Sequence, residues 1–92
     1  MKKDIFFVDA QKMHENHPET FWAPCQEELD TIKIGDVVKI CANNKERFHV
    51  IVTEVNGDDM TGRVSDALVM VDLDIDEVVH FKKENIYDFY NR

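Results

Sequence analysis

Ninety-two residues with 43% hydrophobic side chains suffice for one compact core, and no apolar run approaches the ~20 residues of a membrane span. The formal net charge is −8. Lysine and arginine are what displace counterions from a phosphate backbone, so this balance disfavours nucleic acid and anionic membranes as partners.

The start, Met1-Lys2-Lys3 followed by Ile5-Phe6-Phe7-Val8, superficially resembles an export signal. Asp9, Gln11 and Lys12 interrupt it well short of the ~7–15 apolar residues such a signal needs, so a cytoplasmic chain is expected. Residues 5–8 read instead as a short strand added outside the main sheet. Asp9 is placed to cap a brief helix over Ala10–Asn16, which Pro18 ends. Phe21-Trp22-Ala23-Pro24 is too aromatic for a plain linker, and Phe21 and Trp22 are read as a lid across the sheet or as contacts for a bound peptide. Residues 26–31 (QEELDT) form a turn or two of helix, acidic at its start as the helix dipole favours.

Gly35-Asp36 is a turn that launches a strand running through Ala42, and Asn43-Asn44-Lys45 turns the chain back. Residues 48–55 then form the central strand, with apolar or β-branched side chains on both faces. Such a strand bends across a barrel, one face in the core and the other under a covering segment. Asn56-Gly57-Asp58-Asp59 reads as a four-residue hairpin loop, with the next strand from Met60 to Ser65. Gly62 in mid-strand marks a bulge or a close backbone approach. Beyond it, residues 68–71 are apolar enough for a strand. Asp72-Leu73-Asp74-Ile75-Asp76 alternates, which puts Leu73 and Ile75 on one face and three aspartates on the other. Residues 77–82 form a further strand, residues 84–86 a single tight turn, and residues 87–90 a closing strand.

This succession matches the plan of a small SH3-like barrel of five to six strands. A short N-terminal helical and aromatic segment, residues 1–30, packs on a barrel of residues 31–92 within one globular domain. The series Phe21-Trp22-Ala23-Pro24, Ile34-Gly35-Asp36-Val37-Val38-Lys39-Ile40, Glu46-Arg47-Phe48-His49-Val50, Thr61-Gly62-Arg63-Val64 and Phe81-Lys82-Lys83-Glu84-Asn85-Ile86 resembles a family of small bacterial domains of unknown function. That family has an ERFWV-like signature, and the resemblance spans roughly residues 20 to 90. It implies an SH3-like barrel and brings no catalytic residue. Here His49 stands where the signature has a large aromatic, and residues 70–76 replace a loop less acidic and richer in glycine and histidine.

Cys25 and Cys41 form no CxxC pair and are expected as free thiols, with Cys41 packed as a small apolar residue. His14, His17 and Cys25 lack the spacing of a zinc site. Asp72, Asp74 and Asp76 open like a calcium loop, but Glu77 and Lys83 occupy the positions that require Gly and Glu. Cys41 with His49 or His80 lacks an oxyanion site and a third orienting group. Arg47, Arg63 and Lys39 are too few for a nucleic-acid stripe. No metal, cofactor or catalytic residue is therefore assigned.

The charge is unevenly placed: residues 54–77 hold eight acids against one base, Arg63. The expected function is a non-enzymatic interaction module that meets a basic protein through an acidic face. Asp58, Asp59, Asp72, Asp74, Asp76 and Glu77 form that face, with Phe21 and Trp22 as aromatic contacts. The alternative is a small acidic inhibitor, phage- or toxin-linked, that blocks a nucleic-acid-binding enzyme by presenting DNA-like charge.

Overall fold

The computed structural model of the chain describes residues 5–17, 19, 23–43, 45–68 and 73–90. The expected site residues Phe21, Trp22 and Asp72 lie outside these. The capping inference from Asp9 holds: its carboxylate accepts the Lys12 N–H at 2.9 Å and starts helix α1 (Ala10–Asn16). Helix α2 (Gln26–Leu29) is a single turn that carries the acids Glu27 and Glu28 and buries Leu29.

Five strands follow, β1 (Val37–Ala42), β2 (Glu46–Asn56), β3 (Asp59–Val64), β4 (Val78–Lys82) and β5 (Asp88–Tyr90), with a 3-10 turn at Lys83–Asn85 before the last. They form one antiparallel sheet in the order β4-β3-β2-β1-β5, open between its two edge strands. The β1–β2 turn uses a positive φ at Asn43, a residue that tolerates left-handed backbone. The β2–β3 loop is tighter than its composition suggested. Asn56 pairs with Asp59, which leaves only Gly57 and Asp58 in the turn, and Gly57 supplies φ +64°. A positive φ at the first loop position alone fits a type II′ turn, whose twist suits the flanking strands.

Register between β2 and β3 slips at Thr53: Val52 faces Gly62, but Glu54 faces Thr61. The bulge bends β2, and Gly62 lets the two strands close up there. The inner face then gathers Val38, Ile40, Phe48, Val50, Val52, Met60, Val64, Val79 and Phe81 into one core with Leu29, Ile32, Leu73 and Ile86. The radius of gyration, 12.5 Å, matches the value of about 12 Å for one compact unit of this length.

The N-terminal strand expected at residues 5–8 is reduced to one bridge, Phe7 to Ala42. Val8 N–H donates to the Cys41 carbonyl at 3.0 Å, and Asn43 N–H to that of Phe6 at 2.9 Å. Asn85 ties this segment to the 3-10 turn: its amide nitrogen donates to the Phe7 and Val8 carbonyls while its Oδ1 accepts the Lys82 N–H. Val8, Ala10, Ala23, Cys41 and Tyr87 make a second, smaller core against α1, on the outer side of β1. This is where the helical part of the N-terminal segment packs.

The alternation read into residues 72–76 is overturned. Leu73 is buried but Ile75 is 55% exposed, and Asp76 has φ +70°, so residues 73–76 lead into β4 through a turn. A two-residue period is a strand signal only where a neighbouring strand pairs with it; here Glu77 accepts the Asp74 N–H and closes a local turn. The segment expected as a strand at residues 68–71 is described only at Leu68, which is in no strand. Among the described residues, no helix is long and apolar enough to cross a membrane.

Candidate functional site: the outer face of the sheet

Side chains alternate between the two faces of a strand, so burying Val38, Val50, Gly62 and Val79 sends their neighbours outward. Register then aligns those neighbours into a row. Tyr90 faces Val37, Val37 faces Ile51, Ile51 faces Arg63, and Arg63 faces Val78. The row crosses all five strands, about 19 Å at the usual strand spacing. Val78 and Tyr90 at its ends are exposed, and Val37 and Ile51 between them are half-buried. The Asp76 carboxylate holds Arg63 in this row through a 2.9 Å ion pair, and the adjacent Ile75 is exposed.

The next row is polar. Asp88 faces Lys39, and Lys39 faces His49. His49 is gripped by Asp66, whose Oδ2 lies 2.9 Å from Nδ1 and accepts the backbone N–H at 2.7 Å. Burial pushes the Asp66 carboxyl up, but the backbone and ring hydrogen bonds of His49, its charge and that of Lys39 outweigh this and hold it below its ordinary value. The imidazole lies 6.1 Å from the Tyr90 ring, so the polar row braces one end of the apolar one. An Asp–His pair of this kind can activate a hydroxyl nucleophile. The hydroxyl of Ser65 instead donates to the His49 carbonyl at 3.1 Å.

The acids named from the sequence separate into two groups. Asp58 and Asp59 sit at the β2–β3 turn; Asp74, Asp76 and Glu77 sit at the far end of β3, beside Val64. The length of β3 keeps the groups about 17 Å apart. Asp59 lies opposite Lys82, and Asp76 pairs with Arg63, so each group has a base beside it. Glu77 is only half-exposed. Glu54, Asp59, Thr61, His80 and Lys82 line a mixed-charge groove of about 430 Å³ on the same outer side, where Thr61 Oγ1 and His80 Nδ1 are 3.1 Å apart.

Cys41 and His80 stand on strands separated by β2 and β3, about 14 Å across the sheet, and are further offset along the strands, so the two share no reaction centre. Cys41 is buried beside Tyr87, opposite Arg47, whose guanidinium lies 4.7 Å from the Tyr87 ring centre. Burial, with the Cys41 thiol hydrogen-bonded beside it, pushes the Tyr87 phenol up to about 12. Among the described residues, no three His, Cys, Asp or Glu side chains gather as a metal would require.

Sequence reasoning missed the His49–Asp66 pair and the cross-sheet row. The row had a signal, the exposed partners of a two-residue period, but only register shows which of them align. No protein-family model, curated relative or solved structure matches the chain.

Proposed function

We propose that this chain is a cytoplasmic, non-enzymatic protein-interaction module of SH3-like barrel plan that engages a basic partner protein with the outer face of its sheet. The order β4-β3-β2-β1-β5 and the 3-10 turn before β5 support the barrel plan. The observation that carries the function is the row from Tyr90 to Val78. Apolar side chains that folding leaves outside in a row, here Tyr90, Val37 and Ile51 with Val78 beyond Arg63, are a usual mark of an interaction site, where aromatic and arginine side chains are enriched. Asp66, Asp74, Asp76 and Asp88 fringe the row, and with a net charge of −8 they favour a basic partner and speed its approach.

The test is affinity capture from the host with wild type and a Tyr90→Ser, Ile51→Thr double variant, after circular dichroism shows that both are folded. A basic protein held by wild type, released by salt and lost from the variant supports the reading. Equal capture by both overturns it. Competition of the captured protein by duplex DNA would favour the second reading, an inhibitor that presents DNA-like charge to a nucleic-acid-binding enzyme.

A further inference from the structure

The two edges of the sheet are unlike. β5 is three residues long and begins with Asp88, so it offers little to pair with. β4 reads Val-Val-His-Phe-Lys, with no proline and no charge before its last residue. Edge strands are normally blunted by such residues, because an open row of backbone groups invites another strand.

The register shows which backbone groups are open. Val64 N–H donates to the Glu77 carbonyl at 3.0 Å, and Lys83 N–H to that of Asp58 at 2.9 Å, which marks both positions as hydrogen-bonded pairs. In an antiparallel ladder such pairs alternate with pairs that face away. Val79 and Phe81 therefore bond to β3, while the N–H and C=O groups of Val78, His80 and Lys82 point to the free edge. The Lys82 N–H is taken by Asn85 Oδ1 at 2.8 Å. Among the described residues, nothing meets those of Val78 and His80.

Along this edge runs a cleft of about 210 Å³, lined by Ile5, Phe7, Leu73, Val78, Val79 and His80, with Glu77 at one end. Among the described residues, it is the seam between β4 and the N-terminal segment that bridges β1. We propose that this seam takes an extended peptide segment of a partner protein as an added strand on β4. Backbone hydrogen bonds to Val78 and His80 hold the segment, and the cleft receives every second side chain. Apolar residues fill the wall of Ile5, Phe7 and Leu73. Asp74, Asp76 and Glu77 at the N-terminal end of β4 favour lysine or arginine at the facing end of the peptide. A second copy of the chain is a poor occupant, because two molecules of net charge −8 repel.

The experiment is a titration of the protein with a synthetic peptide of alternating lysine and valine, followed by amide hydrogen exchange. Free protein should show protected amides at Val79 and Phe81 and fast exchange at Val78 and His80. The peptide should protect Val78 and His80 in turn. His80→Pro removes one outward N–H and no ladder bond, so it should weaken binding about tenfold, the scale of one net hydrogen bond. His80→Ala keeps the N–H and should lose less binding than His80→Pro does. An alternating glutamate and valine peptide, or a lysine and valine peptide N-methylated along one edge, should not bind. Protection of Val78 and His80 in the free protein overturns the proposal: if it rises with protein concentration, a second copy fills the seam. Absence of peptide binding, or binding that ignores N-methylation or His80→Pro, overturns it equally. Tyr90→Ser should leave peptide binding unchanged, so a failure here and a failure of the outer-face reading are distinguishable.

Discussion

Replacing Gly62 by alanine tests the feature on which the curvature of the sheet depends. An added Cβ would lie 2.3 Å from Val50 Cγ1 and 2.7 Å from the Ile51 carbonyl oxygen. Val50 is fully buried and its methyl has nowhere to swing, while the second obstacle is backbone. The strands must therefore move apart at the bulge, and overpacking of this kind costs ~1–3 kcal/mol. Against it stand the lower entropy of the unfolded alanine chain, ~0.4–1 kcal/mol, and one buried methyl, ~0.8 kcal/mol, if the site could relax to accept it. With rigid backbone on one side the clash dominates, and we expect a net loss of ~1–2 kcal/mol. For a domain of this size that lowers Tm by on the order of 10 °C. Gly57→Ala is the control: its Cβ would meet nothing within 4 Å, so its cost is the left-handed backbone alone, about 1 kcal/mol. Urea unfolding followed by circular dichroism measures both. If Gly62→Ala proves as stable as wild type, or less damaging than Gly57→Ala, the close approach does not shape the sheet.

Two further substitutions probe the junction with the N-terminal segment. Asn85→Asp keeps an acceptor for the Lys82 N–H but sets a carboxylate against the Phe7 and Val8 carbonyls in a buried site, and should cost at least about 2 kcal/mol. Exchange at the Val8 and Asn43 amides should rise while β2 stays protected; a stability change under about 0.5 kcal/mol would mean that the junction bears no load. Tyr87 has its folded pKa raised to about 12 from an ordinary value near 10, so the stability it contributes is full below about pH 10 and is lost as pH rises toward 12. The phenolate absorbance of wild type minus that of Tyr87→Phe should develop late, and Tyr87→Phe should lose less stability across that window. A difference signal complete near pH 10 would refute the burial argument.

Most strands were legible because each announces itself locally. Residues 48–55 hold β-branched and aromatic side chains between turn residues, and Asp9 before Ala10–Asn16 is a cap that needs no tertiary help. Residues 72–76 misled for the opposite reason. Their alternation is real, but a turn closed by Glu77 and a positive φ at Asp76 override it, and neither has a periodic signature. The hairpin loop was read two residues too long because Asn56 and Asp59 are turn formers by composition yet pair across the ladder. The outer row is of another kind. Tyr90, Val37, Ile51, Arg63 and Val78 come from five strands, and nothing local relates them until the register of four strand pairs is known.

The acidic run illustrates how a sequence neighbourhood dissolves on folding. Residues 54–77 contain one complete passage of β3, so acids before and after that strand emerge at its opposite ends. Surface fields fade over a Debye length of ~8 Å in physiological salt, and a separation of about 17 Å makes the two groups nearly independent. Asp58 and Asp59 then act on whatever approaches the β2–β3 turn and Lys82. Asp74, Asp76 and Glu77 act at the Arg63 end, where the outer row reaches Val78 and the seam beside β4 begins. The apolar row and the open edge converge at Val78, and only the second acidic group stands beside that point. Charge there stands beside both the apolar row and the seam, whereas charge at the far turn is a strand's length away.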